Sequence, residues 1–230
     1  MSASVMFRKF GRPAVLVVAA LILSGVVFWV VTSAFTLTRV EVVGDGVGLT
    51  IDQKKLPKNL LLLPTDKLQA SLIRQYPLLS SIKVTKRYPH TLIIAAVTRK
   101  PIARITTAFG IFLLDPDGVI VDEKKSSDSL PILDMPVASI AIGSKLSDPA
   151  VVTALGLLAI INPAINIERI AINNGTSLVA KTPTTDILIT QDANTEAIAT
   201  TLQTLFEGFR IKGTLPTRID LRFDKPVVTF

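Results

Sequence analysis

The chain has 230 residues, 49% of them hydrophobic, with 25 Lys and Arg against 18 Asp and Glu, one His and no Cys. That length holds one or two domains with real cores, and the absence of Cys excludes a disulfide scaffold and thiol chemistry. The pI of 9.8 invites nucleic acid, but the basic residues carry no interleaved stacking aromatics, so no nucleic-acid partner is expected.

No charged residue lies between Arg12 and Arg39. Within that stretch, residues 14–31 form an apolar run that would span roughly 27 Å as a helix, close to the hydrocarbon thickness of a bilayer. Trp29 suits the interface. The competing reading is a cleaved signal peptide, with Thr32-Ser33-Ala34 as a passable cleavage site, but the run exceeds the roughly 7–15 residues of such a segment. The expectation is an uncleaved transmembrane helix over 14–34. Arg8, Lys9 and Arg12 precede it without an acid beside them, whereas Glu41 and Asp45 follow near Arg39. Positive-inside then places residues 1–13 in the cytoplasm and the bulk of the chain outside.

Residues 37–43 alternate as a strand and Gly44-Asp45-Gly46 stops it. Residues 49–55 read as a short helix with Thr50 as its cap. A loop from Pro57 to Pro64 encloses leucines 60–63, expected to be buried. Thr65 opens a second helix, with Leu68, Leu72 and Ile73 on one face and Asp66 in the first turn, and Pro77 ends it. In residues 80–103, Ile82 and Val84 alternate with Lys83 and Thr85, the period of a strand with one wet face. Tyr88-Pro89-His90 breaks the run, because Pro89 fixes its own φ and restricts Tyr88. Residues 92–97 are apolar throughout, as in a strand covered on both sides. Residues 36–104 thus read as a small α+β domain, a three-stranded sheet with two helices on one face.

Short strands follow at 104–108 and 111–114, then the turn Asp115-Pro116-Asp117-Gly118 and a strand at 119–121. Residues 123–129 are polar, and Leu130-Pro131-Ile132-Leu133 re-enters the fold. A helix over 147–161 is capped by Ser147 or Asp148, with Pro149 in its first turn. Strands are expected at 165–172, 177–180 and 186–190, then a helix over 194–210 with Ile198, Leu202, Leu205 and Phe206 inward. Strands at 219–223 and 227–230 close the chain. Residues 105–230 therefore read as an antiparallel β-sheet domain flanked by two helices, and the whole exported part as α+β.

Charge divides along the same boundary. Residues 36–104 hold 12 Lys and Arg against 4 Asp and Glu, while 105–230 hold 10 against 14. Two solvated surfaces account for this. The sharper reading is a basic first domain that rests on anionic lipid or faces anionic wall polymer.

No catalytic constellation assembles. His90 sits in a turn with no second His and no Cys, so it reads as a surface residue rather than a metal ligand. Asp115 and Asp117 have Pro and Gly neighbours, which makes turn chemistry the better account than paired catalytic carboxylates. There is no phosphate loop, no nucleophile elbow and no metal-ligand spacing. The expectation is a protein that is not an enzyme, with no catalytic, cofactor-binding or metal-binding residue.

The order of elements, with Val40-Glu41-Val42-Val43-Gly44, Tyr76-Pro77, Arg87-Tyr88-Pro89, Arg99-Lys100-Pro101-Ile102-Ala103, Leu114-Asp115-Pro116-Asp117-Gly118-Val119, Leu130-Pro131 and Ile219-Asp220-Leu221-Arg222-Phe223, resembles the FtsQ/DivIB family of bacterial cell-division proteins. Thr98 stands where the family usually has Glu, and Thr190 or Gln191 where a glycine is common. The resemblance implies a POTRA-like domain at 36–104 and an FtsQ/DivIB-type β domain at 105–230. It implies a bitopic inner-membrane scaffold at the division septum, linked to septal peptidoglycan synthesis. The implied partners are single-pass proteins of the FtsB/FtsL type, which add a strand to the C-terminal edge, and Arg222 and Phe223 fall on positions similar to the family's partner-contacting pair. Two alternatives stand beside it: a POTRA-containing protein of membrane transport or outer-membrane assembly, and an unrecognised cell-wall enzyme.

Overall fold

The computed structural model describes residues 7–45, 51, 56–107, 110–124, 129–137, 140–161 and 165–230. The chain divides into two compact units, Met1–Thr98 and Arg99–Phe230.

The first unit opens with helix α1, Phe7–Ala34. Its stretch Val15–Ala34 has a mean hydropathy of 2.7 and is long and apolar enough to cross a membrane. Ser24, Thr32 and Ser33 return their hydroxyls to carbonyls three or four residues back, which satisfies them without a partner. A three-stranded sheet follows, built from β1 (Arg39–Val43), β2 (Leu79–Arg87) and β3 (Thr91–Thr98), with α2 (Thr65–Gln75) between β1 and β2. The strand order is β1-β3-β2; β1 runs parallel to β3, and β2 antiparallel to it. The helix expected at 49–55 lies, apart from Ile51, outside the described residues.

Leu92, Ile94 and Ala96 are fully buried on β3, with Ile82 and Val84 of β2 beside them and Leu60, Leu63 and Leu72 above. The reading of residues 92–97 as covered on both faces is corrected: Ile93 and Ala95 are only half buried and Val97 is exposed. Among the described residues, α2 and the leucine loop cover one face of the sheet, and the face of Ile93, Ala95 and Val97 is the more exposed one. The leucine loop also splits, since Leu60 and Leu63 point inward while Leu61 and Leu62 are exposed. Ile73 of α2 is exposed as well, and Leu68 and Leu72 carry the inward face.

The second unit is one nine-stranded sheet with two helices. Its strands are β4 (Ala103–Thr107), β5 (Gly110–Leu114), β6 (Ile120–Lys124), β7 (Ile132–Asp134), β8 (Arg169–Asn173), β9 (Ser177–Lys181), β10 (Asp186–Thr190), β11 (Arg218–Asp220) and β12 (Val227–Thr229), with α3 (Pro149–Ile161) and α4 (Thr195–Lys212). The spatial order is β12-β11-β10-β9-β8-β7-β4-β5-β6. The expected all-antiparallel sheet is corrected to a mixed one, because β4/β7, β7/β8 and β10/β11 pair in parallel. Arg104, placed in the first domain by the sequence, belongs to β4 and so to this sheet.

Register lines up one apolar face across the sheet: Phe112, Ile105, Leu133, Ile170, Ala180, Ile187 and Ile219 are successive cross-strand partners. Their side chains join those of α3 and α4 in one core. α3 buries residues on nearly every side, including Ala154, Leu155, Leu157, Leu158 and Ile161, which is why its sequence carries no polar face. Of the two capping candidates Asp148 acts, its Oδ1 accepting from Ala150 N at 2.9 Å. α4 is capped at its start by Asn194 and ends at Gly213 in the left-handed conformation. Gly118, also at positive φ, closes the Asp115–Gly118 turn; a Cβ there would lie 2.7 Å from the Leu146 carbonyl oxygen.

Candidate partner-binding edge

The last hairpin of the second unit, β11 and β12 with the turn between them, carries both residues singled out for partner contact. Neither lies on a strand. The expected strand over 219–223 ends at Asp220, and Arg222 and Phe223 occupy the turn that follows. The reason is local. Asp220 Oδ1 accepts from Arg222 N at 3.1 Å and from Arg222 Nε at 2.9 Å, while Oδ2 accepts from Nη2 at 2.6 Å. A carboxylate that captures both the backbone and the fork of a residue two positions on bends the chain out of the ladder. Leu221 stays buried, its N–H donating to the Leu188 carbonyl at 2.8 Å.

Phe223 is 62% exposed, so it is not a core residue. The Arg222 guanidinium carbon lies 5.7 Å from the centre of its ring, a cation–π contact that holds the pair together at the surface. Hydrogen bonding from Arg222, against partial burial acting the other way, holds the Asp220 carboxyl below the ordinary aspartate range, and Asp220 in turn raises the arginine. Because the folded pKa is depressed, the pair's contribution is complete above the unfolded aspartate value and is lost as pH falls through the folded one. In a carbon-13 NMR titration the Asp220 carboxyl should therefore titrate below 3.8. Arg222→Gln should move that midpoint upward; an unmoved midpoint would mean that the fork does not form in solution.

The two edges of the sheet differ. At β6 the segment 143–146 closes the start of the strand: Ile120 N donates to Ser144 O at 2.9 Å, Gly143 N to Ile120 O at 2.8 Å, and Lys145 bridges Val119. At β12 the outer side carries no further strand among the described residues. Val228 faces the core, while Val227 and Phe230 are 54% and 67% exposed. The Phe230 ring meets Phe209 of α4 edge-on at 5.8 Å, and Phe209 meets Phe206 at 6.5 Å. Those two α4 aromatics also line a groove of about 570 Å³, with Ile165, Thr182, Arg210 and Leu215. The edge thus offers an unpaired backbone flanked by Phe223 and Phe230, an arrangement suited to taking up an extended segment.

The other singled-out residues lie elsewhere. Asp115 and Asp117 are joined by Arg99, whose Nη1 donates to both carboxylates, at 2.7 Å to Asp117. Asp115 also accepts from Val119 N at 2.7 Å through Oδ1. The turn reading of the two acids holds for their backbone, but sequence reasoning missed the arginine that clamps them; its only signal was position, directly before Lys100-Pro101. His90 is exposed, with Nδ1 3.0 Å from the Thr36 carbonyl oxygen. No group of three or more His, Cys, Asp or Glu suited to a metal occurs among the described residues. No protein-family model matches the chain, and no curated protein matches it.

Proposed function

We propose that the chain is a single-pass scaffold of the bacterial division septum, of the FtsQ/DivIB kind, which works by binding and not by catalysis. In this reading residues 1–13 lie in the cytoplasm, α1 spans the inner membrane, and the remainder is extracytoplasmic. The three-stranded unit is POTRA-like, and the nine-stranded unit receives partners of the FtsB/FtsL type and links them to septal peptidoglycan synthesis. The single observation that carries the reading is the far edge of the large sheet: 143–146 covers only the start of β6, whereas β12, with no further strand beside it among the described residues, stands next to exposed Phe223 and Phe230. The motif order behind one apolar helix supports the same conclusion.

A strand added along β12 would gain backbone hydrogen bonds, and the Arg222–Phe223 pair would supply side-chain anchoring of the types common at interface hot spots. Arg222→Glu and Phe223→Ala should each weaken binding of the exported segment of an FtsB-like protein from the same host, roughly 30-fold per residue. Titration calorimetry measures this, with circular dichroism as the folding control. Full affinity in the double variant would remove the site. Failure of the unaltered chain to bind would remove the partner.

A further inference from the structure

The end of α1 and residues 35–38, which lead from it to β1, are stitched to loop residues 58–60 and 90. Asn59 Nδ2 donates to the Thr32 carbonyl at 2.9 Å, Leu60 N to Phe35 O at 2.8 Å and Leu37 N to Lys58 O at 2.7 Å. On the other side Thr38 N donates to His90 O at 3.0 Å, and the Phe35 and Tyr88 rings meet edge-on at 5.5 Å. Val15–Ala34 has 20 residues, roughly 30 Å as a helix, which is the thickness of a hydrocarbon core. If that helix fills the bilayer, Thr32 falls within its last turn, and the loops at 58–62 and 87–90 are held at headgroup depth.

What those loops present is unusual for a surface facing water. Leu61 and Leu62 are 40% and 67% exposed while their neighbours Leu60 and Leu63 are buried. Tyr88, whose ring meets Phe35, is exposed as well. The same loops carry Lys58 and Arg87, both exposed, and Lys86, at the end of β2, donates its ammonium to the Leu61 carbonyl at 2.9 Å. Asp66 is the sole acid between Asp52 and Asp115. Apolar and aromatic side chains together with cations, on two loops that themselves hold no acid, match the interface of an anionic leaflet, where leucine enters the acyl boundary, tyrosine sits at the headgroups and cations meet phosphate.

We propose that residues 58–62 and 87–90 form a foot that seats the first unit on an anionic lipid surface, with Leu61, Leu62 and Tyr88 inserted and Lys58, Lys86 and Arg87 on lipid phosphates. The foot fixes the angle at which the unit leaves the membrane. It rests on α1 lying in a bilayer, one part of the reading above, and is independent of the partner edge.

The chain has no Cys, so single-cysteine spin labels report one place each. The full chain is reconstituted in vesicles of phosphatidylcholine with or without phosphatidylglycerol, carrying Leu62→Cys, Val18→Cys or Ser81→Cys. Ser81 pairs with Val97 at the far end of the sheet and serves as the aqueous reference. The label at 62 should be relaxed by oxygen and shielded from a water-soluble nickel complex, more so with phosphatidylglycerol. Lys58→Gln and Arg87→Gln should each weaken that shielding roughly fivefold. Hydrogen exchange of residues 58–62 in the unlabelled chain, slower on the anionic vesicles than on the neutral ones, would give the same result without the label. A label at 62 as water-exposed as that at 81 in both lipids, with the label at 18 in lipid, overturns the foot. A water-exposed label at 18 overturns the membrane span itself.

Discussion

Replacing Arg99 by Ala is expected to cost the second unit about 3–5 kcal/mol, the range for breaking a buried ion pair from one side. Side-chain exposure is 13% for Arg99, 3% for Asp115 and 62% for Asp117. Burial opposes the charge on Arg99, but its hydrogen bonds to Asp115 and Asp117 and their negative charge outweigh it and raise its pKa. Without the guanidinium Asp117 can turn to water, whereas Asp115 cannot. Asp115 also pins the turn through Val119 N, so an uncompensated charge there loosens the junction of β5 and β6. In the full chain, amide hydrogen exchange along β4, β5 and β6 should accelerate roughly 100-fold or more. Arg99→Met with Asp115→Asn should recover much of the loss, because no lone charge is then left buried. Unchanged exchange in Arg99→Ala would show that the clamp contributes nothing.

Leu92→Ala should unfold the first unit and leave the second intact. Leu92 is fully buried at the centre of a small core shared with Leu60, Leu63, Leu72, Leu79, Ile82, Val84 and Ile94. A leucine-to-alanine change in a core costs about 2–5 kcal/mol, and a unit of this size holds little more than that in reserve. The two cores share no residue, so the loss should stay local. Exchange should rise throughout β1, β2 and β3 and remain slow in β8, β9 and β10. Equal loss in both units would mean that they fold as one body.

The parts of this fold that were readable are those set by local chemistry. β10 occupies 186–190 as expected after the break at Thr182-Pro183-Thr184, and the Asp148-Pro149 start of α3 and the Asn194 cap of α4 follow from side chains that satisfy nearby N–H groups. Strand direction was not readable, because side-chain period is the same in parallel and antiparallel pairs; β4/β7, β7/β8 and β10/β11 depend on which distant strand lies alongside. The apolar run at 92–97 resembled a doubly covered strand because Ile93, Ala95 and Val97 carry no polar mark, although their face is the more exposed one. At the candidate edge, the placing of Arg222 and Phe223 on a strand was not legible, since β11 ends at Asp220. The alternation of Ile219, Leu221 and Phe223 continues the strand on paper, while the Asp220–Arg222 fork ends it in three dimensions.

The parallel pairing of β1 with β3 sets a schedule for synthesis. Arg39 pairs with Thr91 and Val43 with Ala95, 52 positions further along the chain. β2, which flanks β3 on its other side, is also made long after β1. At ribosomal rates of about 5–20 residues per second, β1 waits roughly 3–10 s for its neighbour after it is made. Throughout that interval its backbone groups have no ladder to join. A chaperone that shields nascent extended segments would therefore act on this protein first at residues 39–43, before any of the rest can fold around them.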